Sequence, residues 1–219
     1  MTSVLPHRFL FRCEFTALRI NALPRRKGTQ ILKLPDECQL PDWGELDADP
    51  AWYSLRTAWN PHGIGFELSV RDKSRFPKGD IEKPTAADGL QVWIDTRSTQ
   101  NVHRATRFCH SFCLLPGAGK SQAPAAVQVP VARAREDAPL CEPESLLIAS
   151  DVSRHGYRLE AWIPADVLHG FDPDVQPRLG FGFVVRDFEL GIHGLTVGSD
   201  FPFESDPSLW SVLRLADEP

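Results

Sequence analysis

The stretch Asp88–Pro116 places the tightest limit on what this chain can fold into. Leu90, Val92 and Ile94 alternate with Gln91, Trp93 and Asp95. After a polar connection, Phe108, His110, Phe112 and Leu114 alternate with Arg107, Cys109, Ser111 and Cys113. A period of two in aromatic and branched residues marks strands whose two faces meet different surroundings. The connection holds Arg97, Asn101, His103 and Arg104, the densest polar chemistry in the sequence.

The same period returns along the chain. Phe11, Cys13 and Phe15 alternate with Arg12 and Glu14 inside an apolar stretch, Leu10–Leu23. Further strands are predicted over Ile31–Leu34, Ser54–Trp59, Ile64–Val70, Val127–Val131, Leu146–Val152, Tyr157–Ile163, Leu179–Asp187, Gly191–Val197 and Leu209–Leu215. Nineteen prolines and fifteen glycines cut the chain too often for long helices. Asn60-Pro61-His62-Gly63 is a hairpin turn. One short helix is predicted at Pro164–Leu168, opened by proline and closed by Gly170. About ten strands and one helix, without an internal repeat, predict a single antiparallel β-sandwich of jelly-roll type over residues 1–219. A chain of 219 residues is long enough to bury a substantial core.

Composition excludes several function classes. No apolar run approaches the ~18 residues of a membrane helix. The start, MTSVLPHRFLFRCEF, is too broken by Arg, Pro and Glu to read as a convincing export signal. Five cysteines, an odd number, fit reduced thiols better than a disulfide framework, so a cytoplasmic setting is expected. A net charge of −5 argues against broad nucleic-acid binding, which needs a basic face, while leaving room for a local basic patch.

Several clusters carry candidate chemistry. Cys109, His110 and Cys113 have the residue types of a metal site. On a strand, however, His110 faces away from the two thiols, which stand ~13 Å apart at about 3.3 Å per residue. Gly117-Ala118-Gly119-Lys120-Ser121 lacks the first glycine of a phosphate-binding loop and opens no helix. Arg25-Arg26-Lys27-Gly28 reads as a solvated basic turn. His103, Arg104, Arg107, Arg133 and Arg135 could form an anion site, because guanidinium forks suit carboxylate and phosphate. Asp187 with Glu189, or Asp200, Glu204 and Asp206, offer loop oxygens to calcium without a recognised spacing. No Gly-x-Ser-x-Gly or His-Glu-x-x-His motif is present. Ser74–Ala87 is a long aperiodic loop between two strands, a place where function often sits.

The order of segments resembles the family 9 carbohydrate-binding modules and their DOMON-like relatives. Thr57-Ala58-Trp59, Gly63-Ile64-Gly65-Phe66 and Val70-Arg71-Asp72 are similar to that family's early hairpin. Asp88-Gly89-Leu90-Gln91-Val92-Trp93-Ile94-Asp95 is similar to its central strand. Gly156 through Pro164, Leu179 through Asp187 and Trp210 to Leu215 are similar to its later strands, so the likeness spans about residues 40–215. The resemblance implies a non-catalytic sandwich that clamps a sugar between rings, with acids, amides and an arginine on its hydroxyls and calcium as a structural element. Carried onto this sequence, it places Asp72 and Asp88 as acceptors and Arg104 or Arg107 as the basic partner. The loop 74–87 departs from that pattern in offering Phe76 but no Trp or Tyr.

If these strands share a sheet, one outward face combines Gln91, Trp93 and Asp95 with Arg107, Arg158, Glu160, Trp162 and Arg186, the mix of flat rings and polar groups that a sugar surface needs. The expectation is a saccharide-binding module with Trp93 as stacking platform, Asp72 and Asp88 as acceptors, and Arg104 and Arg107 as donors. Two alternatives stand beside it. One is an intracellular interaction domain that kept the sandwich without the sugar. The other is an enzyme acting on an anionic substrate through His103, Arg104 and Arg107.

Overall fold

A computed structural model describes residues 13–25, 30–42, 51–118, 123–195 and 201–217. The basic turn at 26–28, Trp43, Gly119-Lys120-Ser121 and Asp200 lie outside the described residues. Among the described residues eleven strands form: β1 Glu14–Arg19, β2 Tyr53–Asn60, β3 Gly63–Val70, β4 Gly89–Asp95, β5 Cys109–Ala118, β6 Ala123–Val129, β7 Leu147–Ser153, β8 Gly156–Pro164, β9 Arg178–Asp187, β10 Gly191–Gly194 and β11 Ser211–Ala216. They join in the order β6-β5-β4-β9-β11-β1-β2-β3-β8-β7, with β10 added to β9. The two ends of this nearly closed sheet meet, and the Ser150 hydroxyl on β7 donates to the Pro116 carbonyl on β5 at 2.6 Å.

The all-β sandwich expected from the alternation is present, with two differences in detail. The sheet is mixed, because β1 runs parallel to both β11 and β2. The helix expected at Pro164–Leu168 is a single 3₁₀ turn, Ala165–Val167, because Pro164 is held extended as the last residue of β8.

The inward positions were legible in the sequence. Ile64, Phe66, Leu68, Leu90, Val92, Ile94, Phe112 and Leu114 all enter one continuous core. The rings of Phe66 on β3 and Phe181 on β9 lie parallel, centroids 5.9 Å apart, and tie the two layers together. Tight approaches elsewhere demand glycine. A Cβ at Gly89 (φ +141°) would lie 2.2 Å from the Leu114 carbonyl oxygen, and one at Gly156 (φ +151°) 2.2 Å from that of Val70.

The outward positions are also covered. Trp93, Cys109 and Val184 pack beneath Ala105, Val131, Phe203 and Trp210. Trp162 packs beneath Leu23, Leu32 and Leu34. Each layer therefore carries a second, smaller apolar pad on its outside, built by connections rather than by strands. Ile31–Leu34, expected as a strand, belongs to such a pad. It has no strand partner; the Ile31 and Leu32 N–H groups donate to Glu160 Oε2 at 2.6 and 2.9 Å, and Leu34 N–H donates to Glu67 Oε2 at 2.9 Å. Buried carboxylates satisfy the donors that a strand neighbour would otherwise satisfy.

Candidate functional site

The outward face expected to bind a ligand is divided between the two layers. On β4 and β9, Gln91 donates to the Ser111 hydroxyl and accepts from Arg186, which also pairs with Glu204. On β3 and β8, Arg158 pairs with Glu67 and Glu160, and Arg56 pairs with Glu67 and Asp36. Glu67 and Glu160 are 3% and 2% exposed. These pairs settle charges beneath covering loops, the arrangement in which an ion pair offsets its own desolvation.

Trp93 does not serve as a stacking platform. It is 1% exposed, with Phe203 edge-on at 5.5 Å, so no ring face is open. Asp88 is also removed from a ligand role. Its two carboxylate oxygens accept the Lys78 and Phe188 N–H groups, each at 2.8 Å, and it is 3% exposed. Burial raises its pKa above the usual carboxylate value, against the pull of those two donors. Asp88 fastens the loop 74–87 to the turn after β9. Arg104 spends its Nε and one terminal nitrogen on the carbonyls of Arg133 and Ala134, each at 3.1 Å.

Two predicted site residues do reach open concavities. Asp72 lines a cleft of about 250 Å³ with Trp52, Ser54, Ser69 and Arg71. Arg107 lines a separate cavity of about 340 Å³ with Arg97, Phe108 and Arg135. The first is built by the β2–β3 hairpin. Its turn sets Tyr53 opposite Val70 and Ser54 opposite Ser69. Tyr53 turns inward, its hydroxyl hydrogen-bonded to His193 Nδ1 at 2.9 Å and its ring edge-on to Phe183. Ser54 and Ser69 turn outward. Trp52, one residue before the strand, lies edge-on to Tyr53 at 5.4 Å and keeps part of its ring at the surface. Arg71 and Asp72, just past the partner strand, are exposed, and Asp72 adopts a left-handed backbone (φ +62°) that Asp tolerates. Trp52 was not singled out from sequence. The signal was there, because counting back from the hairpin turn sets it beside Arg71.

Among the described residues, the acids considered for calcium have other partners. Asp187 holds the Lys73 ammonium with both oxygens at 2.5 Å, Glu189 lies 3.6 Å from the same nitrogen, and Glu204 and Asp206 pair with Arg186 and His103. A cation already fills the Asp187–Glu189 pair, and it is a lysine, so those two residues do not fit a calcium ion. The His103–Asp206–Ser208 contact lacks the geometry of a nucleophilic triad. Both Asp206 and Ser208 approach the same His103 nitrogen, Nδ1, and Ser208 donates to Asp206. Cys109, His110 and Cys113 lie on three packing surfaces: with Trp93, with Gln128, and with Leu115.

No protein-family model and no curated protein sequence matches the chain. Solved structures do. A family 9 carbohydrate-binding module from Caldicellulosiruptor kristjanssonii, in complex with cellotriose, superposes with a TM-score of 0.60 over 94% of this chain and 95% of that one, at 10% identity. The module from the same organism in complex with glucose gives 0.59 over 94% and 97%, at 11% identity. The chain thus shares the fold of the family 9 carbohydrate-binding modules over nearly its whole length. No helix among the described residues is long and apolar enough to cross a membrane.

Proposed function

We propose that this protein is a non-catalytic saccharide-binding module whose ligand enters the Trp52–Asp72 cleft. One observation carries the reading: a partly open indole, a guanidinium, a carboxylate and two serine hydroxyls line one concavity. A ring face serves the C–H face of a sugar, and Arg71, Asp72 and the hydroxyls serve its oxygens. At about 250 Å³ the cleft lies just under the usual range for small-molecule pockets, which suits a single sugar residue or a chain end. The shared fold supports the same class, since neighbours with this architecture hold cellotriose and glucose.

Calorimetric titration with glucose, cello-oligosaccharides and a wider panel of neutral sugars tests it. Saturable binding is expected, weakened roughly tenfold or more by Trp52→Ala and by Asp72→Asn. A blank panel, or a Trp52→Ala protein that binds as well as the parent, overturns it. A protein-docking role has one observation in its favour: Phe76 and Ile81 stand 60% and 50% exposed on the loop 74–87. Sugar binding that fails while the protein still self-associates or captures a partner, and a loss of that association in Phe76→Ser, would favour docking.

A further inference from the structure

The cavity at the opposite end of the sandwich has a different chemistry. It lies beyond the end of β4 and the start of β5, where Thr96 donates to the His169 carbonyl at 2.8 Å, whereas the Trp52 cleft lies beyond the end of β3. Three arginines, Arg97, Arg107 and Arg135, line it with Phe108, and Glu136 is the single carboxylate residue of its lining. In a chain with 29 acidic and 24 basic residues, such a surplus of arginine is unusual. Only Arg107 approaches Glu136, at 3.6 Å. Among the described residues, Arg97 and Arg135 have no carboxylate partner.

The arginines are also held in place. Phe108 is stacked on His169, centroids 5.1 Å apart and planes 19° apart, and the Arg97 guanidinium sits 4.6 Å from the same ring. Arg107 Nε–H donates to His169 Nε2 at 3.0 Å, which leaves its terminal nitrogens toward the cavity side with Glu136. Arg135 is carried on a connection fixed by its own N–H on the Ala105 carbonyl, at 2.7 Å, and by Arg104 on the carbonyls of Arg133 and Ala134. Arg104 is therefore a positioning residue: its donors hold in place the segment that delivers Arg135.

We propose that this cavity binds an oxyanion: a carboxylate, sulfate or phosphate group gripped by Arg97, Arg107 and Arg135 over the Phe108 ring. Planar forks match such oxygens in pairs, and unpaired ones retain all their donors for a ligand. The oxyanion could be a free inorganic ion or the acidic group of a charged saccharide. The site does not depend on the Trp52 cleft, so the two stand or fall separately.

Calorimetry at low ionic strength with sodium phosphate, sodium sulfate and glucuronate tests it on the full chain. Saturable binding that weakens with added salt is expected. Arg97→Gln and Arg135→Gln each weaken it roughly tenfold. Arg154→Gln, which removes the same charge from an exposed side chain in the β7–β8 turn at the other end of the sandwich, leaves it unchanged. Thermal melting of each variant checks that the fold is kept. Glucuronate binding alone assigns the charged saccharide, and phosphate or sulfate binding as tightly assigns the free ion; either result supports the site. No saturable binding by any of the three, or an equal loss in Arg154→Gln, overturns it.

Discussion

The Lys73 ammonium lies 2.5 Å from each carboxylate oxygen of Asp187, and neither side chain reaches solvent. Lys73 opens the loop 74–87 and Asp187 ends β9, so this pair locks the loop to the sheet. Glu189 extends the lock outward, accepting from the Ser74 hydroxyl and from the Ser74 and Arg75 N–H groups. Those donors hold the Glu189 carboxyl below the usual range. Removing one member of a buried pair strands the other charge, which typically costs about 3–5 kcal/mol. Lys73→Met is expected to lower stability to urea by that order, and Lys73→Met with Asp187→Leu to recover most of it. A double variant no more stable than the single one contradicts the pairing.

His110 makes stability depend on acid. Burial pushes its pKa down to about 4 from 6.5, and the nearby His169 side chain adds to that, while the His169 carbonyl and Asp95 oppose it. Its Nδ1 accepts from the Gln128 amide at 3.2 Å, and its Nε2 faces the His169 carbonyl at 3.4 Å, so the ring is seated neutral. Between pH 6.5 and about 4 the unfolded chain binds a proton that the folded chain refuses. Stability therefore falls as pH drops through that window, by about 3 kcal/mol in all. Asp88, whose pKa is raised, acts with the opposite sign: what it contributes is lost as pH rises through its folded value. Urea melts at pH 7, 5.5 and 4.5 are expected to show the loss, and His110→Gln to flatten it. An unchanged slope in His110→Gln assigns the acid sensitivity elsewhere.

Glu160 is expected to control one outer pad. Its Oε2 takes the Ile31 and Leu32 N–H groups, and Leu32 then fills the space above Gly65 and Trp162. Hydrogen bonds to a charged group contribute about 1.5–3 kcal/mol each. Glu160→Ala should release the segment before it unfolds the sandwich, so amide exchange at Ile31 and Leu32 rises by orders of magnitude while the β4 and β9 amides stay protected. Uniform acceleration across the sheet would show that Glu160 supports the whole fold instead.

The strands were legible because a period of two needs only neighbouring residues, and Leu90–Asp95 and Ile64–Val70 show it plainly. What lay outside each strand was not legible. Trp93 has the same outward register whether it meets solvent or Phe203, and nothing within its own strand distinguishes the two. Ile31–Leu34 reads as a strand, but its donors go to Glu160, 128 or 129 residues away, and to Glu67, 33 residues away, and no local pattern carries that information. The parallel placement of β1 has the same origin. At the two concavities, Asp72 and Arg107 are residues that the family resemblance singles out. Trp52, Arg97 and the positioning role of Arg104 required the hairpin register or the loop contacts. The arginine-rich connection was visible as a cluster, but which of its members point into a cavity depends on carbonyls of the 133–134 segment.

Gly89 opens β4, between β5 and β9, with φ at +141°. An added Cβ would meet the Leu114 carbonyl oxygen at 2.2 Å and the Pro116 ring at 3.2 Å. The first contact is backbone in a paired strand, so it cannot yield by a side-chain rotation. Both the positive φ and the clash oppose any larger residue, and together such effects cost about 2–4 kcal/mol. Gly89→Ala is therefore expected to lower the melting midpoint markedly. Gly191→Ala is the internal control: its φ is +106°, but nothing lies within 4 Å of the added atom. The second variant pays only for backbone strain, so the difference between the two measures the clash. Equal losses in both would mean that β5 shifts to admit the methyl group, which amide exchange at Leu114 and Leu115 would register.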